Sequence, residues 1–370
     1  MISGDRLRQM RELHRLTQSD LAAQVPGLTQ PRLSRIEKEL AVASAETVEL
    51  LSAVLGVRSD FFRREPVPDV LGHSPQFRSR TSLTTSGKAA ALQWARLVLE
   101  AYDRLAAAAV RIPLRLAPQT GATPVEAAGY ARRQLGFSAG EPLPYLILAV
   151  ERAGVPVVGL PYSVDGLDAF CAWRDGTPVV AVLGGAPGDR LRFSVAHELG
   201  HLLLHSSRPD RGNAEREADE FAAELLTPLH AIGPAMPANP TLRSLAMLKT
   251  QWGVSIRSLI RRAREVGAID QDRSTGLHRQ LSARGWSRVE PGFVPVEKPR
   301  AFRKLAEISY GPGPDVERLA TDSGWSESLA LAVLDRHATA AELPFEGAGP
   351  DPGADVIPLG RAAARRRAGR

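Results

Sequence analysis

Residues 195–205, VAHELGHLLLH, set three histidines and a glutamate in an otherwise apolar run. His197 and His201 are four apart, so on a helix both imidazoles project from one side, one turn apart. That spacing lets two ring nitrogens hold one tetrahedral zinc ion. Glu198 then lies beside the open fourth position, where it can take a proton from an activated water. Val195, Leu199 and Leu202 supply a buried face for such a helix, and no proline interrupts it.

A catalytic zinc needs a third protein ligand. His205 is two turns from His197, about 10.8 Å along a helix, too far for one ion with bonds of about 2 Å. It reads instead as a helix-end histidine favoured by the macrodipole. The stretch NAEREADEFAAELLTP (213–228) offers a better donor. Glu215 and Asp219 share a face, and Ala218 and Ala222 are small enough for this helix to approach the first closely. Glu215 is expected to bind zinc. Asp219 is expected to accept the other ring N–H of a ligand histidine, fixing its tautomer. Glu217, Glu220 and Glu224 fall on other faces and read as solvated charges. The plainer reading of the Glu215–Asp219 pair is an acidic patch on a surface helix; its place directly after the histidine pair favours the ligand reading.

These side chains need a frame. A helix capped by Asp189 is expected to run through His205, and another from about 215 to 226, stopped at Pro228. VPVVGLP (155–161), LDAFCAW (167–173) and TPVVAVL (177–183) read as three strands, the last two joined by an Asp175-Gly176 turn. Helices are expected over 89–110, near 124–136 and around 241–265.

Residues 1–65 read as a separate helical unit. A first helix covers about 5–14. Thr17 caps a second in capping-box style with Asp20, Thr29 caps a third to about Glu39, and Ser44 caps a fourth that ends at Gly56. In the third, Leu33 and Ile36 face inward, while Gln30, Arg32 and Arg35 face out and Ser34 lies near the margin. A short helix, a turn and a helix starting with Gln and Arg suit a helix-turn-helix, whose second helix presents side chains to base edges. A bundle with a polar outer face is the alternative.

Two resemblances bear on these readings. LTQSDLAAQV…LTQPRLSRIEKEL…LLSAVLGV resembles the Cro/C1-type (XRE) helix-turn-helix family across 1–62. The resemblance implies that Gln18 touches phosphate and that Gln30, Arg32, Ser34 and Arg35 reach the groove. The sequence departs from the family in VPGLTQ, which adds a Pro-containing turn, and at Glu39, where glycine is usual. DRLRFSVAHELGHLLLH followed by EREADEFAAELLTP resembles the ImmA/IrrE family of zinc metallo-endopeptidases. That likeness extends from FRSR (77–80) to LKTQWGVSIRSLIRRA and GW…EP (285–291). It implies a thermolysin-like, gluzincin-type HExxH…E site, with zinc on His197, His201 and Glu215 and Glu198 as general base. Asp219 stands where the family often has Asn or Asp, and the implied substrate is a DNA-binding repressor. The resemblance does not assign the residue that stabilises the tetrahedral intermediate; Tyr162, Arg192 and His230 are candidates, and each reads more simply as a structural residue.

The expected architecture is mainly α with a small β-sheet, an α+β chain. Its expected parts are a helix-turn-helix domain (1–65), a linker (66–88), a zinc peptidase domain with C-terminal helices (89–300), a small helical extension (301–345) and a disordered basic tail (346–370). The 370 residues carry a formal charge of +6, compatible with a polyanionic partner such as an operator in double-stranded DNA. The one cysteine, Cys171, excludes an internal disulfide framework and reads as a structural thiol in a reducing compartment. MISGDRLRQM lacks the apolar segment of a signal peptide, and no run approaches a membrane span. A cytoplasmic, nucleoid-associated homodimer is expected, a DNA-binding regulator that also cleaves a repressor-type protein. The rival is a transcription factor or antitoxin-like repressor whose peptidase-like half senses or assembles without proteolysis.

Overall fold

The computed structural model describes residues 2–66, 84–107, 109, 112–174, 176–206, 212–287 and 289–342. Among the described residues are sixteen α-helices and one three-stranded sheet, an α+β architecture dominated by helix. FRSR (77–80), Asp175 and the tail at 346–370 lie outside the described residues.

The N-terminal helices are α1 (Gly4–Leu13), α2 (Gln18–Gln24), α3 (Gln30–Glu37) and α4 (Ala45–Leu55). Thr17 and Asp20 form a reciprocal capping box, and α4 ends at Gly56 in the left-handed conformation. Thr29 is extended but makes no side-chain cap hydrogen bond; proline in the first turn presets the start of α3 instead. Glu39, at the position where glycine is usual, has φ 59°, and its carboxylate accepts the Gly4 N–H at 3.0 Å. That hydrogen bond offsets part of the left-handed strain and ties the end of α3 to the start of α1.

Next come α5 (Thr85–Ala106), α6 (Pro124–Gln134) and α7 (Leu146–Arg152), then β1 (Val157–Gly159), β2 (Ala169–Arg174) and β3 (Thr177–Val182). Strand order is β1-β3-β2, with β1 parallel and β2 antiparallel to β3. Arg174 pairs with Thr177, which leaves two residues for the turn, and Gly176 supplies φ 75° there.

Alternation along the strands divides the sheet between two cores. Val157, Ala169, Cys171, Val180 and Val182 join one core, with Val195, Leu199 and Phe221. Val158, Phe170, Ala172, Val179 and Ala181 join the other, with α5 and the N-terminal helices.

The remaining helices are α8 (Gly188–Leu204), α9 (Ala214–Leu226), α10 (Leu229–Ala235), α11 (Leu242–Trp252), α12 (Ile256–Glu265), α13 (Gln271–Ala283), α14 (Ala301–Tyr310), α15 (Val316–Ser323) and α16 (Glu327–Asp335). Two expectations need correction. Asp189 does not cap α8: Pro187 holds that position, and Asp189 is buried, its carboxylate accepting from Lys249 Nζ at 2.6 Å. The expected helix over 241–265 is two helices, parted at Gly253, which has φ 66°.

Residues Met1–Ala338 form one compact unit. Leu7, Phe61, Trp94, Phe302 and Trp325 share the second core, so apolar packing is continuous across positions 65 and 300. Val57 bridges to Trp325, and the Arg58 N–H donates to Gly324 O at 2.9 Å. Thr339–Arg370 is a second unit, described only for the short turn in which the Thr339 N–H and hydroxyl donate to the Glu342 carboxylate.

Candidate metal centre and nucleic-acid interface

On α3 the apolar period buries Leu33 and Ile36 and leaves Gln30, Arg32 and Arg35 exposed, with Ser34 half-buried. Gln30 Nε2 donates to Gln18 Oε1 at 2.8 Å, joining the starts of α2 and α3. Gln18 Nε2 donates in turn to Glu37 Oε2 at 2.8 Å. Glu37 is buried and takes the Arg11 guanidinium through both carboxylate oxygens, at 2.6 and 3.1 Å. This bidentate pair fixes α3 against α1. Sequence reasoning missed it, although a glutamate on the apolar side of α3 was the available signal.

The second site is built by α8 and α9. Gly200 allows their close approach: a Cβ there would lie 3.0 Å from the Phe221 ring and 3.2 Å from Ala218 Cα. Ala218 and Ala222 are fully buried at the same contact. His197, Glu198 and His201 are buried. His197 Nε2 lies 3.0 Å from His201 Nε2, and Glu215 closes the triangle at 3.5 Å from His197 Nε2 and 3.3 Å from His201 Nε2. A tetrahedral ion with bonds of about 2.05 Å has ligand–ligand edges of about 3.3 Å. The three separations therefore fit one such ion, and two imidazoles with a carboxylate are donors that zinc accepts.

The surrounding groups orient this triangle. Asp219 Oδ1 lies 2.8 Å from His197 Nδ1, the ring nitrogen facing away from Glu215. Hydrogen bonds from His197 and then His201 hold the Glu215 carboxyl well below the usual carboxylate range. Burial pulls His201 down, which favours the neutral, ligating imidazole. Burial also pushes Glu198 up to about 7, against the opposing pull of His197 and of the Cys171 thiol and N–H. Glu198 Oε2 is buried with no hydrogen-bond partner among the described residues. An orphaned carboxylate oxygen is costly unless something else occupies the space before it. Cys171 is buried as expected, and it brings β2 against Glu198.

Three acidic residues expected to be solvated divide. Glu220 pairs with Arg216 at the surface, at 2.7 Å. Glu224 is instead buried and accepts from Arg262 Nη2 at 2.9 Å. Glu217 reaches His205 Nε2 at 3.1 Å. His205 does close the end of α8, but its ring contacts His201 as well, a contact that spacing from His197 alone did not disclose.

The three candidates for stabilising a tetrahedral intermediate lie elsewhere. Arg192 is buried and committed to Leu143 O, Pro144 O, Gly253 O and the Glu297 carboxylate. Tyr162 packs against the core on the far side of the sheet, and His230 is exposed on α10.

Residues 7–62 match the family model described as helix-turn-helix. Residues 150–264 match a peptidase family model described as the IrrE N-terminal-like domain. One chain thus joins a segment that matches the first family to a segment that matches the second, which supports a fusion of the two. The IrrE-type match runs from α7 to α12 and so contains the sheet and both helices of the candidate metal centre. No curated protein matches the chain. The chain thus carries a DNA-binding module and a peptidase-like module, the composition of a regulator. Among the described residues no helix is long and apolar enough to cross a membrane.

Proposed function

We propose that the protein is a DNA-binding transcriptional regulator whose IrrE-type half is a zinc-dependent endopeptidase acting on a repressor-type protein. The observation that carries this reading is the orphaned Glu198 Oε2 beside a complete His197–His201–Glu215 donor set. His197, His201 and Glu215 would hold the ion, with Asp219 fixing the His197 tautomer. A zinc ion there would supply Lewis acidity, making water acidic enough to attack near neutral pH and polarising the scissile carbonyl. Glu198 takes the proton of the attacking water and returns it to the leaving amine, so its carboxylate is regenerated at the end of the cycle.

The substrate segment would lie extended along the outer edge of β2. That strand is an edge of the sheet and brings Cys171 beside Glu198. The opposite edge is already engaged, because the Gly159 N–H of β1 donates to His337 Nε2.

At the other end of the chain, Gln18 would meet phosphate, and Gln30, Arg32, Ser34 and Arg35 would face the major groove. Two copies would pair to read two half-sites, within the compartment that holds the DNA. A second reading, sensing or assembly without turnover, has one observation in its favour. The helix-turn-helix shares its core with the sheet, so a change in the IrrE-type half has a packed route to the DNA-binding half.

One experiment separates these readings. Zinc-loaded protein and its Glu198→Gln variant are incubated with cell extract, and the peptides produced are compared. Products formed by the parent alone are expected; identical products, or none, would favour the non-proteolytic reading. DNA recognition is tested independently. Changing Arg32 and Arg35 together to alanine should abolish operator binding while leaving zinc content unchanged. An unaltered sequence preference would refute the groove assignment.

A further inference from the structure

His201 presents Nε2 to the donor triangle, 3.3 Å from Glu215 and 3.0 Å from His197 Nε2. A neutral imidazole that binds a cation through one nitrogen carries its N–H on the other. For His201 that nitrogen is Nδ1, which lies 3.1 Å from His205 Nδ1. His205 Nε2 in turn lies 3.1 Å from Glu217 Oε2. One placement of protons serves every atom in this series. His201 Nδ1–H donates to His205 Nδ1, and His205 Nε2–H donates to the Glu217 carboxylate.

We propose that His205 and Glu217 form a positioning chain behind His201, the counterpart of Asp219 behind His197, with neither residue touching the metal. The proposal rests on the reading of His197, His201 and Glu215 as the ligand set. It gives the third histidine of VAHELGHLLLH a role that follows from helix geometry. The i,i+4 step that puts His205 out of reach of the ion puts it directly behind His201, with ring centroids 5.1 Å apart and planes inclined by 55°. The two ligand histidines are then oriented differently. His197 meets its carboxylate directly, whereas His201 meets one through an intervening imidazole. Hydrogen bonds in series polarise one another, so the Glu217 charge raises the basicity of His201 from one residue away. The His205 side chain is 8% exposed and Glu217 37%, so the link is sheltered at the histidine and open to water at the carboxylate.

The test is zinc affinity of the full chain, measured by competition with a chromogenic chelator, for the parent and three variants. His205→Leu should bind zinc about tenfold more weakly or worse. His205→Gln should recover most of that loss, because its amide can accept from His201 and donate to Glu217. Glu217→Ala should show a smaller loss of the same sign. If the parent itself fails to hold one zinc per chain, the ligand reading falls and this proposal with it. If the parent binds zinc and neither His205→Leu nor Glu217→Ala weakens it, the positioning chain is wrong while the ligand reading stands. Equal loss in His205→Leu and His205→Gln, with Glu217→Ala at parent affinity, also overturns it, since His205 would then act only by packing. Should His205→Leu fail to fold, the partly exposed Glu217→Ala variant decides the matter alone.

Discussion

Glu215 and Asp219 are four residues apart on α9 but meet different neighbours. The Glu215 side chain is 62% exposed and faces both histidine Nε2 atoms, whereas Asp219 is 32% exposed and faces His197 Nδ1. Their substitutions should therefore fail differently. Glu215→Gln removes the anionic donor, leaving two neutral imidazoles and a weak amide oxygen, so stoichiometric zinc binding at neutral pH should be lost. Asp219→Asn retains an acceptor for the His197 ring N–H but not its charge, and zinc should remain with affinity lowered about tenfold. Zinc titration of the two variants checks the order. Equal losses would mean that Asp219 either ligates directly or does not orient His197 at all.

At the scale of elements, the site depends on how closely α8 and α9 pack. Gly200 is the smallest link, with Phe221 and Ala218 less than 3.4 Å from where a Cβ would stand, and both are fully buried. Gly200→Val should overpack this contact, destabilise the fold by about 1–3 kcal/mol and weaken zinc binding by pushing Glu215 away from the histidines. Thermal melts of metal-free protein and chelator competition together test this; a variant with parental values in both would show that the contact yields easily. The same contact explains what was legible in the sequence. The His197–His201 and Glu215–Asp219 spacings are local consequences of a 3.6-residue turn, and the Thr17–Asp20 box lies within one turn, so all could be read directly. The short helices α7 and α10, with seven residues each, hold too few turns to show a period. Glu217 with His205, Asp189 with Lys249 and Glu37 with Arg11 depend on which helices meet, 12, 60 and 26 residues apart in the chain. No single-helix pattern encodes those partners, and each of these carboxylates therefore read as a cap or a solvated charge, or went unremarked.

For the molecule as a whole, the C-terminal helices are held to the sheet and to α7 by two buried ionisable groups of opposite tendency. Glu151, at the end of α7, accepts the N–H groups of Arg300 and Ala301 at the start of α14, at 2.9 to 3.1 Å. His337 follows α16, accepts the Gly159 N–H through Nε2 at 3.0 Å and donates from Nδ1 to Val333 O at 2.8 Å. Burial pushes Glu151 from its ordinary 4.5 up to about 7 and His337 from 6.5 down to about 3. Between about pH 4.5 and 7 the folded chain keeps a proton on Glu151 that the unfolded chain has released. Stability from this group is full below pH 4.5 and lost as pH rises through the window. Between about pH 3 and 6.5 the unfolded chain protonates His337 while the folded chain does not, so stability from this group is full above pH 6.5 and lost on acidification. In the overlap the two slopes oppose, each about 1.4 kcal/mol per pH unit, and largely cancel in the parent. Removing either group should unmask the other. Relative to the parent, Glu151→Gln should gain stability with rising pH across the overlap, and His337→Gln should lose it. Urea-denaturation midpoints of the three proteins at a series of pH values between about 5 and 6.5 measure both differences. Parallel curves would mean that neither Glu151 nor His337 keeps its folded-state protonation, and that other contacts, such as the Arg58 N–H to Gly324 O, hold these helices in place.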